Sequence, residues 1–232
     1  MMKRKIFILV IFALIAASLW AGDIATFVDL GFSPDGKTYM FGQYGVESKT
    51  LKPWADLYVV DVPLNNFVSG GRISYVHNNA VVAGQDGSGA LYRLTAKNAA
   101  IAERYKIDYL FQGKPLYITL QDNDGEEHRS TINFRDFESN VDYKASLVPF
   151  VEGSGAELKS SFYIDLESTA RNGARRTYTV GTPQLKRSLI ESYTISKVMI
   201  APQDGSLIFV IQMKRATDTG YDIRYMVEAV RL

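Results

Sequence analysis

Gly31-Phe32-Ser33-Pro34-Asp35-Gly36-Lys37-Thr38-Tyr39-Met40-Phe41 joins two aromatic-rich apolar runs through a tight turn. Pro34 fixes φ, Asp35 bonds back to the backbone and Gly36 accepts a positive φ. The flanking runs are built from residues that suit a pleated, half-buried surface. The stretch therefore predicts a hairpin, with strands over 24–32 and 38–43. After a loop through Gly45 and Pro53, Trp54-Ala55-Asp56-Leu57-Tyr58-Val59-Val60-Asp61-Val62 predicts a third strand. It is nearly continuous in apolar character, which places it centrally, with both faces covered.

The same grammar returns near the C-terminus. Met199-Ile200-Ala201-Pro202-Gln203-Asp204-Gly205-Ser206-Leu207-Ile208-Phe209 is followed by Tyr221-Asp222-Ile223-Arg224-Tyr225-Met226-Val227-Glu228-Ala229-Val230. Each copy runs apolar strand, Pro/Asp/Gly turn, aromatic strand, loop and Asp-led strand. Two copies side by side in one sheet would bring the termini together. Between them, helical period is strong once, over 89–106: Leu91, Leu94, Ala102 and Tyr105 fall near one stripe, with Ser88 as the expected N-cap. Its polar side is mixed, so the helix is expected to pack on a sheet face.

The remainder reads as a meander. Strands are expected over 107–111 and 116–121, and Asp122-Asn123-Asp124-Gly125 is expected to turn the latter back into 127–134. Leu158, Ser160, Phe162, Ile164 and Leu166 alternate with Lys159, Ser161, Tyr163, Asp165 and Glu167, the pattern of a half-buried strand. Asn172-Gly173 pairs it with 175–181, and strands over 192–201, 207–214 and 222–232 close the chain. The fold class is thus mainly β. Antiparallel meander sheets form a sandwich or an incomplete propeller-like array, with one amphipathic helix near residues 89–106.

Residues 1–22 read as a cleavable secretory signal. Lys3, Arg4 and Lys5 precede an apolar run over 6–17, and Ser18-Leu19-Trp20-Ala21-Gly22 supplies small residues for a peptidase. Leu19 departs from the small-residue preference if the cut follows Ala21. The competing reading, a retained anchor, needs about 20 apolar residues, and this run falls short. With no cysteine, a lipid anchor has no attachment point and disulfides play no part. Some 210 residues, 23–232, remain as a single β-rich extracytoplasmic domain, long enough to bury a core unaided. Loss of the three leader cations leaves 23 basic against 25 acidic side chains. Such a near-neutral domain has no field to attract nucleic acid, and no membrane insertion is expected after signal cleavage. Arg175-Arg176 and Lys186-Arg187 read as solvated turn residues.

Chemistry-bearing patterns are sparse. His77 and His128 lie far apart, no His-Glu-x-x-His occurs, and Gly-x-Ser-x-Gly is missing. Asp122 and Asp124 stand in a glycine-broken loop that offers alternate oxygens to calcium. The loop departs from the calcium template, however, with Leu120 in the place of the first ligand. No metal or other cofactor is expected. Tyr and Trp are the remaining excess, and Tyr44 and Trp54, flanking the 45–53 loop, are the candidate ligand-binding residues.

The first copy resembles the blade repeat of WD40-like propellers such as the periplasmic propeller of the Tol system. A propeller needs several blades of roughly 40 residues, and only two copies exist here. The whole arrangement also resembles a family of predicted secreted bacterial proteins, domain of unknown function 2259. The likeness rests on the signal peptide, Phe32–Gly36 with Tyr44-Gly45, the Arg104-Tyr105 pair ending the helix, and the late hairpin. It implies export, and it carries over no activity and so no catalytic residue. The expected function is a non-catalytic envelope protein, periplasmic or secreted, that binds an envelope protein or a glycan. A polysaccharide hydrolase using paired carboxylates, and a structural part of an envelope complex, are the alternatives.

Overall fold

The computed structural model describes residues 22–82, 84–119, 130–218 and 220–232. Among the described residues, thirteen strands, all paired antiparallel, form three sheets. Sheet I is a meander of β1 (Thr26–Phe32), β2 (Thr38–Val46), β3 (Pro53–Asp61) and β4 (Asn66–Val76). Sheet II runs β10 (Arg187–Ser188), β8 (Lys159–Thr169), β7 (Val141–Glu152), β6 (Thr131–Asp136), with β9 (Arg175–Val180) also on β8. Sheet III runs β13 (Gly220–Val230), β12 (Leu207–Thr217), β11 (Ile190–Ile200), β5 (Lys114–Ile118). Two helices, α1 (Ser88–Lys97) and α2 (Ala99–Arg104), pack on sheet I.

Side-chain alternation stacks these elements into layers. Leu207, Phe209 and Ile211 of β12 join Phe162, Ile164 and Leu166 of β8 in one core cluster. Ile208 and Val210, pointing the other way, join Phe32, Tyr39, Phe41 and Val60 of sheet I. Met40, Ala55, Leu57 and Val59, on the far side of sheet I, meet Leu91 and Leu94 of α1. Sheet III is therefore the middle layer, which explains the unbroken apolar run over 207–211: both faces are buried. The same holds for β3, as its sequence predicts.

Both Pro/Asp/Gly turns form. Ser33 accepts the amide of Gly36 at 2.8 Å, and Gly205 donates to the Ala201 carbonyl at 3.1 Å. The two copies do not share one sheet, however. They face each other through the Phe32–Ile208 core, joined at the edge by a parallel bridge between Ile24 and Ile223. Nor do they repeat as blades, since only sheet I is a four-strand meander in chain order. The fourth strand of sheet III is β5, drawn from mid-chain by pairing with β11.

Four further expectations change. The helix is two, broken at Asn98, whose side-chain amide donates to the Leu94 carbonyl at 2.8 Å in competition with the backbone. Ser88 is the first residue of α1 and Gly87 is the N-cap, without a side-chain cap bond, while Asp86 before it accepts from the Ser88 amide at 3.0 Å. Residues 107–111 form a turn, with Lys106 left-handed at φ 54° and the Phe111 amide bound to the Asp108 carbonyl. Finally, β5 and β6 do not pair as a hairpin: β5 bonds to β11 and β6 to β7. The strand over 159–169 and its Asn172-Gly173 hairpin with β9 form as expected.

Candidate functional site

Tyr44 and Trp54 sit on neighbouring strands but on opposite faces of sheet I. Tyr44 stands opposite Ala55 and packs toward the helices. Trp54 stands opposite Gly45 and turns toward β13, where it is 5% exposed. Its indole N–H donates to Asp23 Oδ2 at 2.6 Å, and the Arg224 guanidinium lies 4.1 Å over its ring. Trp54 is thus engaged inside the protein, and the pair does not form one aromatic platform. Asp122, Asp124 and His128 lie outside the described residues.

The 45–53 loop borders a cleft at one end of sheet I. The segment leaving β4 folds back over that loop: the His77 amide donates to the Pro53 carbonyl and the Val81 amide to the Leu51 carbonyl, each at 2.8 Å. Gly87 then touches the backbone of Gly45, where a Cβ would lie 2.3 Å from the carbonyl oxygen and only glycine fits. Between this segment and α1 opens a cavity of about 650 Å³, lined by His77, Asn79, Gln85, Asp86 and Arg93 among others.

The polar groups of the cleft divide into spent and available ones. The Ser88 hydroxyl and amide both donate to Asp86 Oδ1, holding that carboxyl below its ordinary range. His77 Nδ1 lies 3.1 Å from both the amide nitrogen and the carbonyl oxygen of Asn79, accepting from the one or donating to the other according to its tautomer. Arg93 is exposed, has no carboxylate partner among the described residues, and leans on the Tyr75 ring at 5.8 Å. Lys97 lies 5.5 Å over the same ring, and His77 meets it edge-on. The cleft wall therefore carries one cation, Arg93, and the His77 ring, while Lys97 and the Tyr75 ring that both cations cover stand beside it, an arrangement suited to an anionic or hydroxyl-rich ligand.

A second cavity, of about 570 Å³, holds a carboxylate pair, Asp136 and Glu138. Both accept from Lys114 Nζ, at 2.7 and 2.8 Å. Burial raises the Asp136 carboxyl, but bonds from Lys114 and Ser139 outweigh it and hold it low. A general acid for glycoside cleavage needs the reverse, a raised value. The pair is arranged as an ionic clasp between β5 and the end of β6.

The cleft has no signature in the sequence, because its donors come from a loop and a helix without spacing of their own. Only His77 stands out in the sequence itself, as one of two histidines. Among the described residues, no helix is long and apolar enough to cross a membrane. No curated protein and no solved structure matches the chain. A family described as predicted secreted protein (DUF2259) does match, over residues 40–231. Tyr44-Gly45, Arg104-Tyr105 and the late hairpin fall within that match, and Phe32–Gly36 precedes it. The chain belongs to this family of predicted secreted proteins.

Proposed function

We propose that the protein is a non-catalytic envelope module, working in the periplasm or beyond it, that binds an acidic glycan through the cleft beside α1. The observation that carries this reading is Arg93: exposed at the cavity wall, free of any carboxylate among the described residues, and steadied by the Tyr75 face. Guanidinium pairs well with carboxylate in bidentate geometry, and the Asn79 and Gln85 amides on the same wall suit sugar hydroxyls. Oligosaccharides carrying uronic or muramic acid combine these features and occur in the compartment to which the family's secretion points.

Isothermal titration of the full exported protein with uronic-acid and muramic-acid oligosaccharides tests the reading. Saturable binding is expected, weakened tenfold or more in Arg93→Gln and weakened by added salt. Binding indifferent to Arg93→Gln, or none to either sugar class, overturns it.

A further inference from the structure

The first described residues are held by a site made largely of the last strand. Asp23 is 5% exposed, and its Oδ2 accepts from Trp54 Nε1 at 2.6 Å and from the Arg224 guanidinium at 2.8 Å. Arg224 donates also to the Asp23 carbonyl, and the backbone there exchanges two bonds with Ile223. The Asp23 amide donates to Asp222 Oδ1 at 3.0 Å. Two oddities remain. Asp23 Oδ1 is buried without a hydrogen-bond partner among the described residues. And two carboxylates, Asp23 and Asp222, share one cation, Arg224, which leaves the cluster one negative charge in excess.

We propose that this cluster is a receptor for the amino terminus that leader removal creates at Gly22 or Asp23, so that processing completes the fold. The export peptidase hydrolyses a peptide bond with water, leaving a carboxylate on the leader and an ammonium on the chain. At Asp23 that ammonium replaces the N–H already bound to Asp222. At Gly22 it stands one residue away, about 3.6 Å along the backbone. Either position supplies the missing positive charge. Position 22 is also sterically selective: a Cβ there would lie 1.3 Å from the Tyr221 carbonyl oxygen, so glycine alone passes. The site needs no ligand and is independent of the glycan cleft.

Intact-mass measurement of the exported protein should give a chain starting at Gly22 or Asp23. A start anywhere other than Gly22 or Asp23 overturns the proposal. The melting temperature of that mature protein should exceed, by several degrees at pH 7, that of a chain retaining residues 18–21. The gap should vanish in Asp222→Asn. A gap that is missing in the wild type, or that persists in Asp222→Asn, overturns the proposal. Should Asp222→Asn fail to fold, the α-amino pKa of the wild type decides by nuclear magnetic resonance. A value above the free-terminus range of about 8 supports capture, and one within that range overturns it.

Discussion

Gly36 rests against the carbonyl of Pro202, so that a Cβ at residue 36 would lie 1.8 Å from the Pro202 oxygen. The turn of one repeat copy thus touches the turn of the other. Gly205 holds the matching place in the second turn, with a similar φ (75° against 70°) but with nothing within 4 Å of its Cβ position. The two positions separate backbone strain from steric contact. Gly205→Ala should cost only the left-handed penalty, about 1–2 kcal/mol. Gly36→Ala should cost that plus displacement of the neighbouring turn, at least about 3 kcal/mol in all. Urea denaturation of both variants checks this, and equal losses would show that the turns do not bear on one another.

That contact also marks the boundary of what could be read from the sequence. Turn chemistry is local, so Pro34-Asp35-Gly36, the 202–205 turn and Asn172-Gly173 are legible: each names its own φ and its own bonds. Alternation is local too, and places Phe162, Ile164 and Leu166 on one face of β8. Partner choice is not local. Lys114–Ile118 prefers β11 to its chain neighbour β6 because Tyr117 and Leu116 pack on the cluster between sheets II and III, which exists only once both sheets are in place. Strands β4 and β7 are not legible in the sequence, since Gly70-Gly71 interrupts one and Pro149 the other. The site suffered likewise. Trp54 looks like a free aromatic until Asp23 and Arg224, 201 residues apart, converge on it.

Lys197 Nζ donates to Asp29 Oδ2 at 3.1 Å, tying β11 to β1, with Asp29 14% exposed. The other oxygen, Asp29 Oδ1, and the Tyr39 hydroxyl are both buried and interact with each other: burial and the neighbouring carboxylate hold the Tyr39 phenol well above its ordinary range. Breaking one side of a buried pair strands a charge, whereas removing both sides does not. Lys197→Met should therefore destabilise by about 3 kcal/mol, and adding Asp29→Asn should recover part of that loss. A double-mutant cycle by chemical denaturation measures the coupling. Strictly additive losses would mean that the pair contributes no more than its separate packing.

Glu228 and Asp136 should tilt stability with pH in opposite directions. Glu228 is 5% exposed, and burial raises its carboxyl above the ordinary 4.5, against the opposing pull of Asn65 and Arg187. The folded protein therefore binds this proton more tightly than the unfolded chain. The resulting stabilisation is present below pH 4.5 and is lost as pH rises through the raised value. Glu228→Gln keeps an acceptor for the Asn65 amide, which reaches Glu228 Oε2 at 2.6 Å. Relative to wild type, the variant should gain stability as pH climbs from 4 to 7. Asp136 is held below 3.8, so its contribution is present above that value and is lost as pH falls through the depressed one. Asp136→Asn should accordingly be weaker than wild type at pH 7, with the deficit closing toward pH 3. Denaturation midpoints across pH 3–8 read both effects, and parallel profiles for wild type and either variant would assign the slope to other groups.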